Sequence, residues 1–182
     1  MTIAVAIQGT RGSYSEEAAH RIVREAAIVE CLDFHATFEA VRSGAAAYAV
    51  VPVENKIVGE IEGSVGLLRS GGFREHERMP LRVMHVLAGA PDADINSIET
   101  VRSHIEALKQ CRRYLAARPS WTQAIGADTA SSIRRVVETG DMTIAAIGSR
   151  RAAELYGARI LAENIADDPD NWTTFSLIGK GS

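Results

Sequence analysis

The chain has 182 residues, of which 46% are apolar, and a formal net charge of −3. Its length and apolar content suffice to bury a core, as one domain or two small lobes, and its scattered Lys and Arg residues exclude a nucleic-acid-binding surface. Because no apolar run reaches about 18 residues and the first residues lack the basic start of a secretion signal, we expect a cytoplasmic protein without a membrane span.

Short apolar runs alternate with helical patterns along the chain, which is typical of an α/β sandwich. Charged and glycine-rich breaks near 70–80 and 167–171 predict two lobes, formed by 1–77 with 169–182 and by 78–168. The charge-rich stretch 74–78 is predicted to be a solvated connection between them. Strands are predicted at 3–8, 27–33, 47–53, 81–89, 100–104, 122–127, 142–148, 158–165 and 174–179.

The predicted helices between these strands have recognisable ends. Polar residues that suit the N-cap position are Ser13, Thr37, Ser103 and Asp128. Ser13 and Ser103 are each followed three residues later by glutamate, which is the spacing of a capping box. Glycines that suit the left-handed position after a last helical turn are Gly44, Gly140 and Gly157.

The first predicted strand leads into its helix through GTRGSYS, residues 9–15. A helix start offers unpaired N–H groups and the positive end of the helix dipole, and glycine lets an anion approach the backbone closely. Gly12 and Ser13 are therefore candidates for binding an anionic small molecule. The glycine pattern fits neither a P-loop nor a dinucleotide-binding turn, and a plain capped turn is the alternative.

Three polar residues, Glu54, Asn55 and Lys56, follow the third predicted strand. Open α/β sheets place their ligands at the carboxyl ends of strands, so these residues are candidate ligand contacts. A solvated loop is the alternative, because charged loop residues are usually hydrated.

Residues 101–115 form a helical pattern in which Ser103 and Gln110 are seven residues apart and would share one helical face. His104 suggests catalysis, but no Ser-His-Asp or metal-ligand spacing accompanies it, and a structural hydrogen bond is its commoner use. Cys31 and Cys111 lack any CxxC spacing, so we expect core thiols rather than a disulfide or a zinc site.

Five segments, in this order, resemble the catalytic domain of prephenate dehydratases. They are GTRGSYSEEAA, the run that contains VVPVENKIVGEIEGSVGLL, then SHIEALKQC, DTASS and NWTTF. The family's corresponding pieces read roughly GxxGTFSxxAA, VPxENSxxGxVxxxxDLL, SHPQALxQC and NxTRF. The resemblance covers nearly the whole chain, and several motifs in one order are more specific than any one of them.

The resemblance implies a two-lobed α/β fold, a three-layer sandwich similar to type II periplasmic binding proteins, with the ligand in the cleft between lobes. It implies a lyase that uses no metal or organic cofactor, and a homodimer. The implied reaction is the decarboxylating dehydration of prephenate to phenylpyruvate in phenylalanine biosynthesis.

Site residues follow from the same resemblance. Thr173 matches the family's catalytic threonine, and its hydroxyl is the candidate donor to the departing ring oxygen. Asn55 and Gln110 are implied to be catalytic as well. The implied substrate contacts are Gly12, Ser13, Glu54, Lys56, Ser103 and Thr129. We expect Glu54 to fix its loop rather than to transfer a proton.

Three positions depart from the family's pattern. Thr174 stands where the family has an arginine, Lys56 where it has a serine, and Ile105-Glu106 where it has Pro-Gln. Lys56 or Arg11 is a candidate to replace the lost guanidinium.

Two other functions stay open because of these departures. One is a nonaromatising prephenate decarboxylase of a secondary-metabolite pathway, and the other is a binding module of the same fold without turnover. In many family members a regulatory ACT domain would begin about where this chain ends, so we expect no ACT domain and no feedback by phenylalanine.

Overall fold

The structure is a computed structural model that describes residues 2–181. Its strands are β1 (Ile3–Gln8), β2 (Ala26–Cys31), β3 (Tyr48–Asn55), β4 (Gly59–Glu60), β5 (Phe73–Arg82), β6 (Val86–Gly89), β7 (Thr100–Ser103), β8 (Thr122–Ile125), β9 (Ile144–Gly148), β10 (Arg159–Ala162) and β11 (Trp172–Lys180). Its α-helices are α1 (Tyr14–Ile22), α2 (Phe34–Ser43), α3 (Glu62–Arg69), α4 (Ile105–Gln110), α5 (Arg112–Ala116), α6 (Thr129–Thr139) and α7 (Arg150–Tyr156).

The first of two compact units ends at Val83 and resumes at Asn171. Its sheet has the order β2-β1-β3-β11-β5, with the short β4 paired to β3. β1 is parallel to β2 and β3, whereas β11 runs antiparallel between β3 and β5. One apolar cluster packs α1 on one face of the sheet and another packs α2 and α3 on the opposite face, which makes three layers.

The second unit is Met84–Asp170, and its sheet has the order β10-β6-β9-β7-β8. α4 and α5 pack on one face of this sheet, and α6 and α7 on the other. Because β7 is parallel to both β8 and β9, the carboxyl ends of these strands meet at one edge of the sheet. The helices that follow them, α4, α6 and α7, therefore begin at that edge.

The predicted α/β class is confirmed, and each of the two units has its own sheet. Among residues 2–181, no helix is long and apolar enough to cross a membrane. The predicted N-caps Ser13 and Asp128 are confirmed, since each side chain accepts a backbone N–H from the first turn of its helix. The left-handed glycines that follow helices are confirmed at Gly44, Gly140 and Gly157.

The other two predicted N-caps are wrong. Thr37 lies inside α2, because Asp33 already accepts the N–H of Ala36 and begins the helix. Ser103 is the last residue of β7, and α4 is capped by His104, whose Nδ1 accepts the N–H of Glu106. The prediction that Ser103 shares a helical face with residue 110 is wrong for the same reason. His104 thus has the structural role that its sequence context favoured.

The predicted strand 81–89 is wrong as a single element, because the chain leaves the first unit after Val83 and β6 begins only at Val86. The charge-rich stretch 74–78 is not a connection but part of β5. As an edge strand, β5 can keep its charged side chains in water, where they hinder pairing with another chain. The unit boundaries, after residues 83 and 170, lie six and two residues beyond the predicted ones.

Candidate active site

Polar side chains of the first unit meet where the end of β3 pairs with the start of β11. Asn55 lies opposite Thr173, and its Nδ2 is 2.8 Å from Thr173 Oγ1 and 2.9 Å from Asn171 Oδ1. A third contact, of 3.2 Å, joins Nδ2 to the carbonyl oxygen of Trp172. Asn55, Thr173 and Asn171 are all buried, so these hydrogen bonds are shielded from water.

The backbone after Asn55 fixes the direction of its amide. Oδ1 accepts the N–H of Ile57 at 2.9 Å and of Val58 at 3.2 Å, so the NH2 group faces β11. An amide NH2 can only donate, and Thr173 Oγ1 is therefore the acceptor of this bond. The hydroxyl proton of Thr173 is directed away from Asn55. The hydroxyl can therefore donate to another oxygen.

A β-bulge places Asn55 on the same face of the sheet as Thr173. The partners of Thr174 and Phe175 on β3 are two residues apart, so Val53 has no partner on β11. Side chains alternate along a regular strand, and the extra residue reverses that alternation. Without the bulge, Asn55 would face α2 and α3 together with Val53.

Glu54 and Lys56 flank Asn55, and both side chains are exposed. Glu54 lies opposite Thr174 and lines a cavity of about 350 Å³ that Arg78 also lines. The backbone N–H of Lys56 donates to the Trp172 carbonyl at 2.9 Å and so ties the turn after β3 to β11. The substrate contacts of Glu54 and Lys56 stay predictions.

The glycine-rich turn before α1 holds a carboxylate from its own helix. Glu16, only 2% exposed, accepts the N–H of Gly12 at 2.6 Å, and His20 Nε2 and Arg11 Nε lie 3.5 and 3.6 Å from its Oε1. Ser13 Oγ accepts the N–H of Glu16 at 3.2 Å. An internal carboxylate therefore meets the Gly12 N–H on which the predicted anion site relied. Ligand binding by Gly12 and Ser13 stays a prediction.

In the second unit, a buried histidine holds Gln110 at the end of α4. His85 Nε2 lies 2.8 Å from Gln110 Oε1, and because a carbonyl oxygen only accepts, His85 carries a proton on Nε2. Burial lowers the pKa of His85, and the hydrogen bond to Gln110 opposes this shift. The bond also fixes the direction of the Gln110 amide. Its NH2 group lies on the side away from His85.

Ser103 and Thr129 lie at the edge where β7 ends and α6 begins. The buried Ser103 donates from Oγ to the carbonyl of Ile147 at 2.7 Å, which ties β7 to β9. Thr129 is half-buried and is the first residue of α6, directly after its N-cap Asp128. The substrate contacts predicted for Ser103 and Thr129 stay predictions.

The structure thus brings Asn55 and Thr173 into contact, and it places Gln110, Ser103 and Thr129 in the second unit. Sequence reasoning missed three residues that orient these groups. The signals were present: Asn171 belongs to the NWTTF segment, Glu16 follows Ser13 at capping-box spacing, and His85 interrupts an apolar run. Within residues 2–181, no group of three or more His, Cys, Asp or Glu side chains is placed to hold a metal ion.

A two-unit α/β protein in which a buried amide orients a threonine hydroxyl has the features of an enzyme that works through neutral hydrogen-bond donors. Comparison with known proteins identifies the family. The sequence pattern of the prephenate dehydratase family matches residues 5–182, and the chain belongs to this family.

Individual relatives support the assignment of the chain to this family. The chain is 37% identical over 179 residues to arogenate dehydratase/prephenate dehydratase 1, chloroplastic, of Arabidopsis thaliana, a match that covers 98% of the chain and 45% of that protein. It is 33% identical over 181 residues to the bifunctional chorismate mutase/prephenate dehydratase of Enterobacter agglomerans, with 97% and 46% covered. The chain therefore spans about half the length of the curated relatives it matches.

A similar solved structure is prephenate dehydratase in complex with L-Phe from Arthrobacter aurescens. It superposes with a TM-score of 0.90 at 26% sequence identity, and the match covers 99% of this chain and 61% of that one.

Proposed function

We propose that this chain converts prephenate to phenylpyruvate by decarboxylation and dehydration, as a step of aromatic amino acid biosynthesis. The observation that carries the proposal is the 2.8 Å contact through which buried Asn55 orients the Thr173 hydroxyl. Membership of the prephenate dehydratase family supports the reaction type.

The reaction breaks two bonds of the substrate ring. The bond to the ring carboxylate breaks, carbon dioxide leaves, and the electron pair of that bond enters the ring. The bond between carbon and the ring hydroxyl breaks in turn, and the oxygen takes up a proton and leaves as water. Because aromatisation drives the reaction, the protein's task is to hold the dianion, orient it and ease the departure of the oxygen.

Thr173 is the proposed donor to the departing oxygen. Its Oγ1 accepts from Asn55, so its own proton can point at the substrate. One preorganised neutral donor of this kind stabilises a transition state by about 2.7–4 kcal/mol, which corresponds to roughly 10²–10³ in rate. Gln110 stays a proposed catalytic residue, with His85 as the residue that positions its amide.

Incubation of the purified chain with prephenate tests the proposal. We expect ultraviolet absorbance of phenylpyruvate to appear. Loss of prephenate to a nonaromatic keto acid would indicate the decarboxylase instead, and binding without any product would indicate the binding module. Arogenate should be assayed in parallel, because the name of the Arabidopsis relative includes both substrates.

Thr173→Val tests the assigned donor, because valine has nearly the same shape and no hydroxyl. We expect kcat to fall by about 10²–10³ with KM little changed. Thr173→Ser keeps a hydroxyl and serves as the matched control. A valine variant as active as the serine variant would remove Thr173 from its role.

We extend the proposal to a homodimer and a cytoplasmic location, which the family resemblance implied. Light scattering on the purified chain and fractionation of cells that produce it are the corresponding tests.

A further inference from the structure

Arg102, on β7, is a half-buried arginine that has no partner among residues 2–181. Its Nε atom is inaccessible to water and makes no hydrogen bond within the described part of the chain. Within residues 2–181, its guanidinium takes part in no ion pair or other hydrogen bond. Arginine is almost never buried unless it is paired, because removing a charge from water is costly. Arg102 is therefore a cation whose partner is not a side chain of the described chain.

The backbone places Arg102 near the start of α6. It pairs with Ala124 on β8 and with Ala146 on β9. Ala146 belongs to the apolar cluster that packs against α6, whereas Val101 belongs to the cluster on the opposite face. The side chain of Arg102 thus emerges on the α6 face of the sheet, next to the last residue of β7.

Gly126 locates the guanidinium more closely. A Cβ atom added to Gly126 would lie 3.7 Å from Arg102 Nη2 and would collide with Ser132 Oγ. Gly126 precedes the N-cap Asp128 by two residues, and Ser132 lies in the first turns of α6. The guanidinium therefore lies beside the amino-terminal end of that helix, where the positive end of the helix dipole adds to its charge.

The charged and polar groups at the start of α6 leave Arg102 available. Asp128, the N-cap, uses Oδ1 to accept the N–H of Ser131 at 2.7 Å, and it forms no ion pair with Arg102. Ser132 Oγ donates to the carbonyl of Asp128. The half-buried hydroxyl of Thr129 makes no hydrogen bond within residues 2–181. A guanidinium fork and a hydroxyl at one helix start match the acceptor oxygens of a carboxylate.

We propose that Arg102 binds the carboxylate of the substrate's pyruvyl side chain, which phenylpyruvate keeps, with Thr129 as a second donor. The proposal rests on the proposed function, since prephenate carries two carboxylates. The family has an arginine at the position that Thr174 occupies in this chain. Arg102 supplies a guanidinium from another position, and it replaces Lys56 and Arg11 as the candidate for that role. A bound carboxylate forms an ion pair with the half-buried guanidinium, and the free energy of this pair strengthens substrate binding.

Arg102→Gln is the decisive variant. Hydrogen bonds to a charged partner predict that KM for prephenate rises by about 10- to 100-fold, while kcat changes by less than about threefold. Arg102→Lys keeps the charge but loses the two-pronged geometry, so its KM should lie between those of wild type and Arg102→Gln. Guanidinium ions added to Arg102→Gln should lower its KM. Arg135→Gln, which removes an exposed arginine from α6, is the matched control and should behave as wild type.

Thermal unfolding separates a binding role from a structural one. Without ligand, Arg102→Gln should melt within about 2 °C of wild type or above it, because an unpaired charge is removed. Saturating phenylpyruvate should raise the melting temperature of wild type more than that of Arg102→Gln. A clearly less stable variant with unchanged KM would assign Arg102 to the fold, and KM within twofold of wild type would overturn the proposal.

The test also distinguishes failure of this proposal from failure of the proposed function. If wild type forms no product from prephenate, the function is refuted, and binding of phenylpyruvate measured by calorimetry then decides about Arg102. Binding at least tenfold weaker in Arg102→Gln would support a carboxylate site. Equal binding in both, or none in either, would overturn it.

Discussion

Asn55→Asp changes a single atom of the site, because Nδ2 becomes a carboxylate oxygen while Oδ1 is kept. The bonds from Ile57 N–H and Val58 N–H to Oδ1 survive. The other side of the group loses its two protons, so Thr173 Oγ1 and Asn171 Oδ1 no longer receive a donor. In this way the substitution isolates the amide's donor function from its role in the turn.

The structure sets the size of the effect on stability. Each buried acceptor that loses its donor costs about 1–3 kcal/mol, which gives a rigid limit of about 2–6 kcal/mol for two. Both partners can respond, because the Thr173 hydroxyl can rotate to donate to the new carboxylate and the Asn171 amide can turn over. The Trp172 carbonyl keeps its bond from Lys56. The new carboxylate also loses its hydration in this buried site, a cost that hydrogen bonds from Ile57, Val58 and Thr173 offset in part. We therefore expect the free energy of unfolding, measured by urea titration, to fall by at least about 1–3 kcal/mol.

Activity should fall by more than this loss of stability suggests. The rotation that rescues the fold commits the Thr173 proton to the carboxylate, so that proton is no longer directed at the departing oxygen of the substrate. We expect kcat to fall by about 10²–10³ in a folded variant, measured by phenylpyruvate release. Asn164→Asp, at an exposed loop residue, is the control for the charge change. A folded Asn55→Asp variant with kcat within tenfold of wild type would refute the reasoning.

Two further predictions concern the second unit. Burial holds the pKa of His85 below its ordinary value. As the pH falls, this histidine therefore becomes protonated more readily in the unfolded chain than in the folded one. The free energy of unfolding should decline below about pH 6.5, by up to about 1.4 kcal/mol per pH unit. Urea titrations between pH 7 and 5 should show a shallower decline for His85→Gln than for wild type or for His35→Gln, which changes an exposed histidine; equal slopes would contradict this. Gly126→Ala should cost about 1–3 kcal/mol because its Cβ meets Ser132 Oγ, whereas Gly66→Ala, in open space on α3, should not destabilise. Ser132→Ala should recover part of that loss in the double variant, and strictly additive losses would argue against the collision.

Local sequence was sufficient for features that depend on near neighbours in the chain. β1 was predicted with its observed bounds, since an isolated apolar run between turn residues has few alternatives. Ser13 and Asp128 cap helices through bonds to residues three positions away, and the left-handed Gly44, Gly140 and Gly157 end helices for reasons contained in one turn. The family and its fold class were predicted because several motifs occur in one order.

Placement of the site was decided by contacts between distant parts of the chain. The bulge at Val53 depends on how β3 pairs with β11, more than a hundred residues later, and it alone puts Asn55 on the face of Thr173. Charged residues in β5 suggested a loop, but an edge strand tolerates them, and only the sheet order shows that β5 is an edge.

The partners of the buried polar groups were also set by tertiary structure. The polar side chains of His85 and Arg102 are expected to be hydrated or hydrogen-bonded, but the sequence does not identify their partners. Packing gives His85 a bond to Gln110 and leaves Arg102 without one inside the described chain. A short motif shows which polar groups are present. Their hydrogen-bond partners depend on the sheets, which bring remote residues together.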